Sequence, residues 1–150
     1  MAKMIKLIFD GYFDEKTLPT RGHRSSGVYT VYAGSINPLK ECEFRELLYI
    51  GEADDVVGKI TSAIKSKKGL YQDWKQYLKK DEILIFAIAD VDVRDREQGA
   101  AALIYFHYNY GKLKIPCNRQ HKESFKYAST KVFTFNRNKF FRSEFLAVDA

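Results

Sequence analysis

Residues 27–51 read GVYTVYAGSINPLKECEFRELLYIG, and this stretch decides the fold. Val28–Tyr32 is rich in β-branched and aromatic residues, so it is predicted to form a strand. Leu47–Ile50 is apolar and aromatic as well, and a turn with glycine and proline separates the two segments. The stretch is therefore predicted to form two neighbouring antiparallel strands.

Each of these strands carries a tyrosine close to a glycine. Tyr29 ends the segment Gly27–Tyr29, and Tyr49 begins the segment Tyr49–Gly51. Two phenols on neighbouring strands can lie on one face of a sheet. A phenol donates or accepts a hydrogen bond, and it can lose its proton if a nearby cation lowers its pKa from about 10. The pair is either a hydrogen-bonded feature of the core or the beginning of a catalytic site.

The rest of the chain mixes helices and strands without a regular alternation, which predicts an α+β fold with a small mixed or antiparallel sheet flanked by helices. Residues 1–150 are predicted to form one domain, with an N-terminal extension at about 1–26 and a basic, aromatic C-terminal segment at about 119–150. The predicted helices begin near Val56, run from Leu70 to Lys80 and run from Asp95 to Tyr108, and the other predicted strands are Ile5–Phe9, Ile83–Val91 and Val132–Phe135.

The composition is that of a folded protein outside the membrane. The longest apolar run, Ile83–Ala89, is far too short to cross a bilayer, and the first residues contain lysines where an export signal must be apolar. The two cysteines, Cys42 and Cys117, do not suggest a disulfide framework. We therefore expect a cytoplasmic protein with no membrane partner.

Positive charge is concentrated in two parts of the chain, whose formal net charge is +6. Residues 59–80 hold seven lysines and one acid, Asp73; residues 110–142 hold nine basic residues and one acid, Glu123, with aromatic residues between them. Basic side chains neutralise phosphates, and aromatic rings stack on bases. The pattern favours a nucleic-acid partner, and the alternative is a solvated face with aromatic residues that belong to the core.

The two tyrosine segments resemble the signature of the GIY-YIG nuclease superfamily. The first segment matches with valine in place of isoleucine, and the second matches as written. The resemblance covers residues 27 to 125, and Glu123–Phe125 resembles a subgroup of stand-alone bacterial members. Four further segments follow in the family's order: Trp74–Leu78, Asp95–Glu97, Ala101–Tyr105 and Pro116–Asn118.

The resemblance implies a DNA endonuclease that hydrolyses phosphodiesters with one divalent metal, Mg²⁺ or Mn²⁺. It implies that Tyr29 helps to activate or orient the attacking water, that Tyr49 belongs to the same site and that Asn118 supports it. The family's phosphate-binding arginine falls at Lys59, which keeps the charge but loses the planar fork. A homodimer is plausible, because a double-strand cutter needs two active sites. Further contacts to DNA are expected from Arg119, Lys122 and Lys126.

The family's metal-binding glutamate falls at Ala100, three residues before Leu103. Alanine cannot bind a metal, and Glu97 could replace the glutamate only if the ion or the helix shifted by about 4 to 5 Å, at about 1.5 Å per residue. Either an engineered change replaced a parental glutamate, or the protein is a natural pseudo-nuclease. Three functions stay open: an impaired endonuclease, a non-catalytic DNA-binding module and a protein-interaction domain with an inherited fold.

Overall fold

The computed structural model describes residues 3–22, 24–39, 41–109, 115–118, 130–136 and 141–147. They form a six-stranded mixed sheet with helices on both faces, which confirms the predicted α+β class. The strands are β1 (Lys3–Phe13), β2 (Gly27–Ile36), β3 (Cys42–Ala53), β4 (Ile83–Asp90), β5 (Thr130–Asn136) and β6 (Phe141–Ala147). The helices are α1 (Leu18–Arg21), α2 (Val56–Ser66), α3 (Leu70–Lys75) and α4 (Arg96–Asn109).

The strand order is β3-β2-β4-β1-β5-β6, and every neighbouring pair is antiparallel except β1 and β5. The predicted antiparallel pairing of β2 with β3 is confirmed. β4 lies between β2 and β1, and all its residues from Leu84 to Ala89 are buried. Its near-continuous apolar sequence therefore marks a central strand covered on both faces, as predicted.

The first residues of the chain belong to the sheet. Ile5, Leu7 and Phe9 alternate with more exposed residues along β1, which pairs with β4 on one side and with β5 on the other. The segment that the sequence sets apart as an extension therefore supplies an inner strand. β5 and β6, from the C-terminal segment, complete the sheet.

The sheet separates two cores. One lies under α1, α2 and α3 and includes Tyr29 and Trp74; the other lies under α4 and includes Val28 and Ala100. Successive residues of a strand point to opposite faces, so Val28 and its neighbour Tyr29 belong to different cores. Val28 therefore packs on the side of the sheet that faces α4, and Tyr29 packs on the side that faces α1 to α3.

The predicted helix from Leu70 to Lys80 is too long, because α3 ends at Lys75. The guanidinium of Arg45 on β3 donates to the Tyr77 carbonyl at 2.6 Å and to both carboxylate oxygens of Glu82 at 2.7 and 2.8 Å. These bonds hold the chain after α3 in a turn that returns it to β4. None of the helices in the described ranges is long and apolar enough to cross a membrane.

Candidate functional site

The structure brings Tyr29 and Tyr49 together on one face of the sheet. Tyr29 lies opposite Gly51 and Val31 lies opposite Tyr49, so the two tyrosines are diagonal neighbours on β2 and β3. Their ring centroids are 5.9 Å apart. The two sequence segments thus meet at one place, under the helices α1 to α3.

Gly51 makes room for the ring of Tyr29. A Cβ atom at position 51 would lie 2.4 Å from Cζ, 2.6 Å from Oη and 2.7 Å from Cε1 of Tyr29. These distances are far below van der Waals contact, so a side chain at position 51 and the Tyr29 ring cannot occupy the same space. The glycine of the second segment is therefore required by the tyrosine of the first.

Both phenols are held in their protonated form by their surroundings. Burial raises the pKa of Tyr29, and the neighbouring Tyr49 phenol and the charge of Glu52 raise it further. Burial also raises the pKa of Tyr49, although the neighbouring Tyr29 phenol acts in the opposite direction. The described groups around the two tyrosines thus favour the neutral phenol at both positions.

Asn118 fastens its segment to the edge of β3. Its Oδ1 accepts a hydrogen bond from the Ile50 N–H at 2.7 Å, and its Nδ2 donates to the Ile50 carbonyl at 2.9 Å. The N–H of Cys117 donates to the Leu48 carbonyl at 2.9 Å. The side-chain amide of Asn118 pairs with Ile50 as a neighbouring strand would, and Cys117 bonds to Leu48, so this segment supports β3 on both sides of Tyr49.

Replacing Asn118 with alanine is expected to lower the free energy of unfolding by about 2 kcal/mol, because a part-buried N–H and a part-buried carbonyl of Ile50 lose their partner. Asn118→Asp is the matched control, since it keeps the acceptor and loses the donor. Urea denaturation followed by circular dichroism measures both. Equal stability of wild type and Asn118→Ala would show that this clamp contributes nothing.

Lys59 is exposed on α2. Asp55 caps the start of this helix: its carboxylate accepts a hydrogen bond from the Gly58 N–H at 2.9 Å and two from the Arg24 guanidinium at 3.1 and 3.3 Å. The bond from Gly58 and then that from Arg24 lower the pKa of Asp55. The helix N-terminus is thus satisfied within the chain, and Lys59 is the exposed cation nearest to it in α2. The contact of Arg24 with this cap was not predicted from the sequence.

Ala100 lies on the other side of the sheet from the two tyrosines. It is 5% exposed and packs in the core under α4, whereas Tyr29 packs in the core under α1 to α3. Glu97 is exposed one turn earlier. No group of three or more His, Cys, Asp or Glu residues in the described ranges could hold a metal ion. The described residues around position 100 therefore do not fit the divalent cation that the resemblance implies.

An ion-pair cluster joins α4 to the strands that carry the tyrosines. Nε of Arg96 lies 2.5 Å from the Glu52 carboxylate, and its Nη1 contacts Asp54 and lies 3.3 Å from the hydroxyl of Ser26. Arg96 and Ala100 are four residues apart and share a face of α4. Sequence reasoning passed over Arg96, although the acids that follow the second tyrosine segment were a signal for a basic partner.

The remaining predicted DNA contacts, Arg119, Lys122 and Lys126, lie outside the described residues. The described part of the chain does present exposed lysines along α2 and just after it. They are Lys59, Lys65, Lys67 and Lys68. No family model, curated protein or solved structure matches this chain.

Proposed function

We propose that this chain is a DNA-binding domain of GIY-YIG type, an endonuclease whose hydrolytic activity is lost or weakened because residue 100 is alanine. The observation that carries the proposal is the meeting of three separate segments at β3. Tyr29 lies over Gly51, and Asn118 holds the intervening Ile50 by both of its peptide groups. Each of these residues belongs to the signature that the sequence resembles.

Charge supports a polyanionic partner. The net charge is +6, and the exposed lysines of α2 follow directly after the second tyrosine segment. Lysine ammonium groups neutralise phosphates as point charges, so they bind the DNA backbone without reading its sequence. The expected affinity is therefore largely independent of sequence and falls steeply with salt.

The side chains available to a bound phosphate explain why binding would lead to little or no cleavage. In-line hydrolysis of DNA forms a bond from a water oxygen to phosphorus, releases a proton of that water and breaks the bond to a deoxyribose oxygen, on which negative charge develops. The half-buried phenol of Tyr49 and the exposed Lys59 can bind the phosphate, but Ala100 offers no ligand for an ion that would neutralise the leaving oxygen.

A second candidate, a natural DNA-binding module without catalysis, is favoured by the packing of Ala100. Ala100 lies on α4, and its methyl group is buried among the apolar residues of the core under that helix. This is the environment of a well-packed core residue. Both candidates predict that the present chain binds DNA; the first allows weak cleavage and the second allows none. They differ in what a carboxylate at position 100 would do.

The experiment compares wild type, Ala100→Glu and Ala100→Gln. All three are incubated with supercoiled plasmid and Mg²⁺ or Mn²⁺, and their affinity for a short duplex is measured at several salt concentrations. The impaired endonuclease predicts that only Ala100→Glu nicks the plasmid. The glutamine variant is the matched control, because it adds the same bulk to a buried site, at an expected cost to stability of about 1–3 kcal/mol, without a carboxylate.

Circular dichroism must first show that both variants are folded. A folded Ala100→Glu variant that binds DNA and does not nick it would favour the non-catalytic module. DNA affinity that is absent, or that does not fall as salt rises, would exclude both nucleic-acid functions and leave the protein-interaction domain.

A further inference from the structure

The described residues expose five large apolar side chains, and three of these lie on the hairpin that joins β2 to β3. Ile36 is 41% exposed, Leu39 is 78% exposed and Phe44 is 37% exposed. Soluble proteins tolerate single exposed apolar residues, but a cluster of them marks an interaction site. We call these three residues the hairpin patch.

Two half-buried tyrosines connect the hairpin patch to the core under α4. The ring centroid of Phe44 lies 4.4 Å from that of Tyr12 and 4.8 Å from that of Tyr32. Both tyrosines pack against the core under α4, so Phe44 continues the α4 side of the sheet to the surface. Aromatic side chains that are partly buried in this way are enriched at protein–protein interfaces.

The loop that carries Leu39 is fixed by the side chain of Asn37. Its Oδ1 accepts hydrogen bonds from the Leu39 N–H at 3.0 Å and from the Glu41 N–H at 2.9 Å. The Asn37 N–H donates to the Glu41 carbonyl at 3.0 Å, and Nδ2 donates to the Glu43 carboxylate at 3.3 Å. Leu39 is therefore presented by an ordered turn, and binding through it costs little loop ordering.

The charge around the hairpin patch favours a second copy of this chain as the partner. In a two-fold contact each copy uses the same surface, so a surface of one sign repels its own copy. Residues 36–46 hold two basic and three acidic residues, so neither sign dominates. Arg45 also binds Glu82 within its own chain, at 2.7 and 2.8 Å. Two hairpins can therefore meet without strong repulsion.

The lysine surface of α2 has the opposite property. Its exposed charged residues are all lysines, so two copies meeting there would repel each other; they are Lys59, Lys65, Lys67 and Lys68. α2 packs on the other side of the sheet from the rings of Tyr12 and Tyr32. A chain with a net charge of +6 is thus better able to meet its own copy at the hairpin than at α2.

We propose that two copies of this chain associate through the hairpin patch, with the patch of one copy packed against the patch of the other. A contact in which both copies use the same surface closes on itself, so the product is a dimer and not a filament. The inference goes beyond the proposed function and does not depend on it, because no DNA takes part in the contact.

Sedimentation equilibrium tests the inference over protein concentrations from about 1 to 200 µM. Wild type is expected to dimerise with a Kd in the micromolar range. Leu39→Ser is expected to raise this Kd at least about tenfold, because it removes the most exposed apolar side chain of the patch. Val93→Ser and Met4→Ser are the matched controls and are expected to keep the wild-type Kd, since Val93 and Met4 are 57% and 48% exposed outside the hairpin.

NMR of ¹³C-labelled methyl groups locates the contact. Dilution from dimer to monomer is expected to shift the methyl signals of Leu39 and Ile36 and to leave those of Val93 unchanged. Shifts at Val93 without shifts at Leu39 would overturn the inference, because the copies would then meet at another surface. Circular dichroism checks that the serine variants are folded, as expected for substitutions at exposed positions.

Wild type that stays monomeric at the highest concentration overturns the inference, and so does a Leu39→Ser variant that dimerises like wild type. Equal weakening by Leu39→Ser and Val93→Ser would mean that the association is unspecific. Species whose mass keeps growing with concentration would contradict a closed two-fold contact. None of these outcomes bears on DNA binding, so the failure of this inference is distinct from the failure of the proposed function.

Discussion

Gly51→Ala is expected to lower the free energy of unfolding by about 3 kcal/mol, at the upper end of the usual cost of overpacking a core. The new methyl group would fall 2.4 Å from Cζ of Tyr29. The Tyr29 ring is 1% exposed and packs in the core, so either β3 must move away from β2 or the ring must shift. Urea denaturation followed by circular dichroism measures the loss.

A double-mutant cycle shows whether Tyr29 causes this loss. Tyr29→Val removes the ring, so the alanine at position 51 is expected to cost far less in that background. Gly69→Ala is the contrasting variant, in which the cost comes from the backbone and not from a clash. A Cβ at Gly69 meets no atom within 4 Å, but a φ of +63° with a ψ of −124° strains any other residue, at about 1–3 kcal/mol. Equal costs of Gly51→Ala in the two backgrounds would mean that the ring is not the obstacle.

The sequence predicted the strands of the site but not the way in which they are matched. β2 and β3 follow from composition and from the turn between them, and so does their antiparallel pairing. The register of the pair could not be predicted in this way, because it shifts within the site. Val31 lies opposite Tyr49, but the next residue, Tyr32, lies opposite Leu47. Leu48 is the extra residue, and it packs in the same core as Tyr49. Simple alternation would have placed these neighbours on opposite faces.

The position of β1 within the sheet could not be predicted from local sequence patterns. Its alternation was visible over Ile5–Phe9, but its place inside the sheet depends on parallel pairing with β5 near the other end of the chain. Pairings between distant segments leave no trace in a local window, so the first residues looked like an extension. The same limit applies to Arg96, whose acidic partners lie on another element of the chain.

The position of Ala100 could be found by counting along the sequence, but its surroundings could not. Counting back from Leu103 identifies the missing carboxylate, and only the structure shows that Ala100 and Tyr29 lie in different cores. A carboxylate introduced at position 100 would lie on the side of the sheet that faces α4. Arg96 is its neighbour one turn away on that helix, so an ion pair with Arg96 would compete with metal binding. Weak nicking by Ala100→Glu would therefore be consistent with the proposed endonuclease.

Trp74→Ala is expected to lower the free energy of unfolding by about 3–5 kcal/mol, the usual cost of removing a buried tryptophan. Trp74 is completely buried, with its ring centroid 5.8 Å from that of Tyr49 and 6.0 Å from that of Phe86. The cavity would also remove the support of Tyr49, so DNA affinity is expected to fall in the fraction that stays folded. Circular dichroism in urea measures stability, and binding to a labelled duplex measures the second effect.

Trp74→Phe separates the packing of this side chain from its polar group. Nε1 of Trp74 is buried and has no hydrogen-bond partner among the described residues. Its removal therefore costs no bond and relieves a buried donor, which offsets part of the lost volume. Trp74→Phe is expected to be much less destabilising than Trp74→Ala and to retain DNA affinity, because a phenyl ring still supports Tyr49. If the two variants were equally unstable, Nε1 would have to donate to a buried water, and the support of Tyr49 would depend on that bond as well as on the ring.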